Sequence, residues 1–262
     1  MDTRPIGIFD SGSGGLSIRK SITELLPHES IIYIGDHKNI PYSTKTTDFI
    51  QKRVSELIRF LVLKDMKMLV IACNTATVAG IDYFRSQFPV LPIIGVVPVI
   101  KTASERSIRK EFAVLSTELT AKSEYQNKLI QNFASDCTVH SLGNTELVEL
   151  IESGKRDSPR VRKILEELLT PLKEHIDVVV LGCTHFPFLR PIIQDVVGKN
   201  IAVLDSGEAV ARHVKHILNH ENILSDKGKP SYQFFTTGDG KKVRNVFSDL
   251  IGAPVEVIKV DF

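Results

Sequence analysis

Cys73 and Cys183 each end a short apolar run, in VIACNTAT and VLGCTHFP, and each is followed within two residues by a threonine before a helical pattern begins. In open parallel sheets ligands bind outside the carboxyl ends of the strands, so these turns are where chemistry is expected. A thiol beside the first N–H groups of a helix is stabilised as thiolate, the form in which sulfur acts as base or nucleophile. Two such thiols admit three chemistries. Dithiol redox has its usual signature in two cysteines separated by two residues, which the chain lacks. Nucleophilic catalysis needs one thiol and a nearby base, with His185 the candidate, and leaves the other thiol idle. Two-base proton transfer employs both, because inverting a carbon takes an acid and a base on opposite faces. Free cysteine is also among the most buried residue types, and Cys137, which has no such polar setting, reads as packing.

A second candidate lies in GIFDSGSGG at 7–15, an apolar strand that runs into a glycine-rich turn with a carboxylate, Asp10, at its start. Such turns present backbone N–H groups to an anion, their glycines admitting positive φ and close approach. Asp10 would repel a phosphate there. A ligand carrying an ammonium as well as a carboxylate satisfies both charges; the alternative for Asp10 is a helix N-cap, worth roughly 1 kcal/mol.

The elements that must hold these residues follow from the hydrophobic pattern. PIGIFD, SIIYIGD, MLVIACN, PIIGVVP, FAVLST, CTVHSLG, DVVVLGC and IAVLDS read as strands of a parallel sheet. SIRKSITELLP, TDFIQKRVSELIRFLVLKD, SEYQNKLIQNFASD and PRVRKILEELLTPLKEH carry apolar residues at helical spacing and read as crossover helices. The strands form an internal repeat in which PIGIFD pairs with FAVLST, IIYIGD with TVHSLG, VIACNTAT with VLGCTHFP and PIIGVVP with NIAVLDS. Ser116 is then the counterpart of Asp10. The fold class expected is α/β, as two pseudo-symmetric domains, each a mainly parallel sheet flanked by helices, with the active site between them. The predicted domains are 1–97 plus 208–262, carrying Cys73, and 98–207, carrying Cys183.

Composition excludes several classes. The 262 residues are 42% hydrophobic and 24% charged, an ordinary globular balance, with a formal charge of only +2 and no long Lys/Arg block. Nucleic acid is therefore set aside as the main partner. No apolar run approaches the roughly 18 residues a membrane span needs, and the N-terminus lacks a secretory pattern, so a cytoplasmic protein without a membrane partner is expected. Three widely separated cysteines argue against a disulfide framework. No metal-ligand spacing and no lysine in a Schiff-base setting is visible, so neither metal nor cofactor is expected.

IFDSGSGG, IPY, VIACNTAT and LGCTHFP, in this order and spacing, resemble the glutamate racemase family, and the resemblance runs from the first strand to FFTTGD near the C-terminus. It implies cofactor-independent interconversion of L- and D-glutamate, supplying D-glutamate for peptidoglycan, in a homodimer. Residue by residue, it implies Cys73 and Cys183 as the two proton-transfer thiols, with Asp10, His185 and the acidic Glu152 assisting. Asp10, Ser11, Tyr42, Ser43, Asn74, Thr75, Thr117, Thr120, Thr184 and His185 are implied as substrate contacts. Ser43 and Leu119 stand where the family commonly has glycine. Within enzymes the alternative is a relative acting on aspartate, a hydantoin or another small diacid; outside catalysis it is a small-anion-binding module whose thiols only pack.

Overall fold

The computed structural model describes residues 2–261. The chain divides into two compact units, Met1–Val96 with Gly207–Phe262, and Val97–Ser206. The first unit holds β1 (Ile6–Asp10), β2 (Ile31–Gly35), β3 (Met68–Ile71) and β4 (Ile93–Gly95). The second holds β5 (Glu111–Ser116), β6 (Thr138–Gly143), β7 (Val178–Leu181) and β8 (Ala202–Leu204). After the second unit the chain returns to the first with β9 (Tyr232–Thr236) and β10 (Val257–Lys259).

All pairings are parallel, in the orders β10-β9-β2-β1-β3-β4 and β6-β5-β7-β8. Strands β2-β1-β3-β4 and β6-β5-β7-β8 have the same order, so the repeat read in the sequence is a repeat of topology. It extends to single hydrogen bonds. Ala72 N–H donates to Phe9 O and Gly182 N–H to Leu115 O, both at 2.7 Å, while Asp36 N–H meets Asp10 O at 3.0 Å and Asn144 N–H meets Ser116 O at 2.9 Å. Each pair fixes the residue before a cysteine, or the loop beside it, against the end of the neighbouring strand.

Strands β1, β2, β3 and β7 are buried along their whole length, which a sheet permits only when helices cover both faces. Ile6, Ile8, Phe9, Ile34 and Val70 form part of the first core; Phe112, Val114, Val178 and Val180 form part of the second. Each such side chain contributes roughly 1.5–3 kcal/mol through burial. Cys137 packs half-buried at the margin of the second core, and its thiol donates to Ser104 Oγ at 3.4 Å.

The helices differ from the sequence pattern in instructive places. The period over PRVRKILEELLTPLKEH predicts one helix to His175, but the α-helix is Pro159–Leu169 and a 3-10 turn follows at Thr170–Leu172. Pro171 lacks the N–H that an α-turn needs there. Strands β9 and β10 lie outside the predicted set: β9 is exposed at its first residues, Tyr232 and Gln233, and buried only from Phe234, and β10 is a three-residue strand at the edge of the sheet. Pairing with β2 makes β9 a strand, from Ile31↔Tyr232 to Gly35↔Thr236.

The glycine turn also departs from expectation. The helix after it is Leu16–Leu25 with Gly15 as its N-cap, so Asp10 does not cap it. Asp10 instead accepts the N–H of Gly12 at 2.8 Å, an Asx-type turn. Gly12, Gly14 and Gly15 do not have positive φ. Close approach is what requires glycine: a Cβ on Gly15 would lie 2.9 Å from both Ala72 Cβ and Asp10 Cβ.

Candidate active site

In the first unit the carboxyl ends of β1 and β3 bring Asp10, Ser11 and Cys73 together. Cys73 occupies the N-cap position of the helix Asn74–Gln87, with extended backbone, and is almost fully buried. Its thiol donates to Ser11 Oγ at 3.4 Å. When the sulfur is ionised the direction reverses, and the Ser11 hydroxyl becomes a donor to the thiolate. Asp10, at the end of β1, is fully buried.

Asn74 and Thr75, the first two residues of that helix, are buried beside the thiol. Asn74 Nδ2 donates to Val96 O at 3.3 Å. Tyr42 opens a 3-10 turn, Tyr42–Thr44, in which Ser43 is half-buried. Ser43 lies outside the positive-φ region, so the serine fits this turn without strain. The same holds for Leu119 in the short helix Glu118–Ala121.

Tyr42 reveals a group that sequence reasoning missed. Its hydroxyl donates to Asp36 Oδ2 at 2.7 Å, and Asp36, fully buried, also receives the Arg53 guanidinium through two bonds of 2.9 and 3.0 Å. Asn39 Nδ2 at 2.9 Å and Thr237 Oγ1 at 2.7 Å complete its shell. Burial works against the Asp36 carboxylate, but the bonds from Arg53, Thr237 and Tyr42 outweigh it and hold its pKa below the ordinary value. For Tyr42, burial and then the Asp36 charge push the phenol well above its usual pKa, with a further push from Cys73. Tyr42 is therefore a neutral hydroxyl donor. The missed signal was available: Asp36 follows an apolar strand in IIYIGD, as Asp10 ends one in IGIFD.

In the second unit Cys183 follows β7 by two residues and is nearly fully buried. No α-helix begins directly after it. Thr184 and His185 lead into a 3-10 turn, Phe186–Leu189, and the α-helix starts only at Arg190, since Pro187 and Pro191 restrict the backbone between. His185 Nδ1 lies 3.8 Å from Cys183 Sγ and its Nε2 lies 2.6 Å from Glu152 Oε1. Glu152 ends the helix Glu146–Glu152. Burial alone would depress the imidazolium; hydrogen bonds and negative charge from Cys183 and Glu152 outweigh it and raise the His185 pKa well above 6.5. Thr117, at the N-cap of Glu118–Ala121, donates from Oγ1 to Thr120 Oγ1 at 3.1 Å, and both are buried, as is Thr184.

The two half-sites thus stand at equivalent strand ends and differ in the backbone that follows and in chemistry. Cys73 meets a hydroxyl, whereas Cys183 meets an imidazole backed by a carboxylate. Among the described residues no group of three or more His, Cys, Asp or Glu side chains is placed to hold a metal ion, and no helix is long and apolar enough to cross a membrane.

A duplicated parallel α/β chain with a thiol turn after the third strand of each repeat defines the class of protein to which this one belongs. The sequence profile of Asp/Glu/Hydantoin racemase matches residues 12–214, and the chain belongs to that family. It is 39% identical over 249 residues to a glutamate racemase of Stutzerimonas stutzeri, covering 95% of this chain and 94% of the relative. Among solved structures it is similar to a glutamate racemase isoform from Bacillus anthracis, with a TM-score of 0.91, 32% identity, and coverage of 100% and 99%. It is also similar to Escherichia coli glutamate racemase, solved in complex with L-glutamate and an activator, with a TM-score of 0.86, 34% identity, and coverage of 98% and 97%.

Proposed function

We propose that this protein interconverts L- and D-glutamate by two-base proton transfer without a cofactor, and so supplies D-glutamate for peptidoglycan. The observation that carries the reading is the pair of thiol turns at repeat-related positions, each with a different proton partner. One thiolate removes the α-proton, the electron pair is delocalised into the α-carboxylate, and the other thiol protonates the opposite face. In the reverse direction the roles exchange. Cys183 exchanges its proton with His185, whose charge Glu152 holds; Cys73 has the Ser11 hydroxyl.

The remaining groups bind. Asp10 is the partner for the substrate ammonium, while N–H groups of the turns and the hydroxyls of Ser11, Tyr42, Ser43, Thr75, Thr117, Thr120 and Thr184, with the Asn74 amide, address the two carboxylates. Oriented donors of this kind are worth roughly 3 to 4 kcal/mol each for charge that develops in the transition state. A homodimer working in the cytoplasm completes the proposal; light scattering of the purified chain measures its mass directly.

The deciding experiment incubates the protein with L-glutamate in deuterated water. D-glutamate carrying α-deuterium is expected. Cys73→Ser and Cys183→Ser should each slow turnover by a factor of roughly 100 or more, while Cys137→Ser does little. Absence of both D-glutamate and α-deuteration defeats the reading.

A further inference from the structure

His37 is not used by the chemistry above, yet its ring sits where three parts of the first unit converge. It follows β2, and its Nε2 lies 3.1 Å from Ser13 Oγ in the glycine turn. Its Nδ1 lies 3.1 Å from Gly35 O and 2.9 Å from Thr236 Oγ1 at the end of β9. A carbonyl only accepts, so Nδ1 carries the proton, and in the neutral ring Nε2 accepts from the Ser13 hydroxyl. The ring also packs against Phe247, with centroids 5.5 Å apart.

The slot is cut for this side chain. A Cβ on Gly35 would lie 2.4 Å from His37 Cε1 and 2.7 Å from Gly12 O; a Cβ on Gly238 would lie 2.7 Å from His37 Cβ. Ser13 is fully buried, and its turn is held on the neighbouring residue by Tyr33, whose hydroxyl donates to Gly12 O at 2.7 Å. The turn that begins at Asp10 and carries Ser11 is therefore gripped at Gly12 by Tyr33 and at Ser13 by His37, and His37 is in turn anchored to β9.

We propose that His37 is a positioning residue for the Cys73 half of the reaction: through Ser13 it fixes the Asp10–Gly15 turn, and with it the Ser11 hydroxyl that Cys73 meets. The proposal rests on the racemase reading above. It also gives the C-terminal return a task, because Thr236 reaches the turn through His37 while the adjacent Thr237 reaches Tyr42 through Asp36. A displacement of about 1 Å at a reacting group can cost roughly 100-fold in rate, so such support has leverage.

The test uses the full chain. Two enantiomers have equal free energy in water, so kcat/KM in the two directions falls together in any variant, and the disturbed side is read instead from primary α-deuterium isotope effects on L- and D-glutamate. His37→Phe keeps a ring beside Phe247 and removes both nitrogens. It is expected to lower kcat/KM roughly 10- to 100-fold and to raise the isotope effect in one direction only. His37→Gln, which can still reach Ser13, recovers most of the rate. Ser13→Ala loses as much as His37→Phe, and the double variant loses no more than either, as one shared contact requires. Unchanged kcat/KM in His37→Phe, or a loss that leaves both isotope effects unaltered, overturns the role. Should His37→Phe not fold, His37→Gln and Ser13→Ala are read in the same way. If the unsubstituted chain does not racemise glutamate, the functional reading fails by itself. Hydrogen exchange at the amides of Ser11–Gly15 then decides the grip: faster exchange in the variants supports it, and equal rates overturn it.

Discussion

At the scale of the residue, His185 is the group whose environment makes the sharpest demand. Its pKa is raised because Cys183 and Glu152 favour the imidazolium more than burial disfavours it. Stability from this pairing is fully present below the unfolded value near 6.5 and is lost as pH rises through the elevated folded value. Removing the carboxylate with Glu152→Gln lowers that folded value. The expected result is an alkaline limb of kcat that moves to lower pH in Glu152→Gln, with the acid limb in place; a pH–rate profile of both proteins measures it. An unmoved alkaline limb would mean that Glu152 does not hold the charge. The sequence offers His185 as a base close to Cys183, but Glu152 enters through resemblance alone, since 33 positions separate the two and neither spacing nor composition joins them.

At the scale of the element, the loop after β2 depends on a buried ion pair. The Arg53 guanidinium, in the helix Thr47–Leu63, reaches Asp36 at the end of β2, and β9 adds Thr237. Replacing Asp36 by Ala takes the carboxylate away from a charge that is only 10% exposed, with Glu56 still 3.1 Å from it. A loss of about 3 kcal/mol in urea unfolding is expected, along with weaker turnover as Tyr42 loses its anchor. The folded Asp36 pKa is depressed, so its stabilisation is present above about 3.8 and fades as pH falls through the folded value. The gap between wild type and Asp36→Ala should therefore narrow below that pH. A gap constant from pH 7 to pH 3 would show that the pair is not the source.

At the scale of the whole molecule, the return of the chain to its first unit is the organising event. Residues after Ser206 supply β9, β10, the helix Gly207–His220 that packs on Leu16–Leu25, and the helix Gly240–Ile251 that carries Phe247. The buried Lys67 ammonium adds a tie. It meets Glu29 at 2.7 Å and the carbonyls of Asp2 and Ile223 at 2.8 and 2.7 Å, so the N-terminal stretch, β3 and the returning segment share one charge. A chain ended at Ser206 should lose amide protection throughout β1, β2 and β3 while β5 and β7 keep theirs, since the second sheet is built from contiguous sequence. Hydrogen exchange with mass readout checks this; protection retained in β2 would defeat it.

Much of this is legible in the amino-acid sequence itself. The strands β1, β2, β3, β5 and β7 announced themselves because a buried parallel strand must be apolar on both faces, and the edge strands β6 and β8, which the structure leaves largely unburied, showed through the repeat, because two copies of one pattern keep their order. Cys73, Cys183 and Asp10 were visible because each breaks an apolar run at its carboxyl end, a local event in the chain. What only tertiary structure decided are the partners: Asp36 with Arg53 and Thr237, His37 with Ser13 and Thr236, His185 with Glu152. Such pairs are made where separate strands end side by side, and a hydrogen bond depends on that distance in space, on which the spacing along the chain is silent. β9 and β10 belong with them, because β9 becomes a strand on the edge of β2 and β10 on the edge of β9, pairings made between distant parts of the chain.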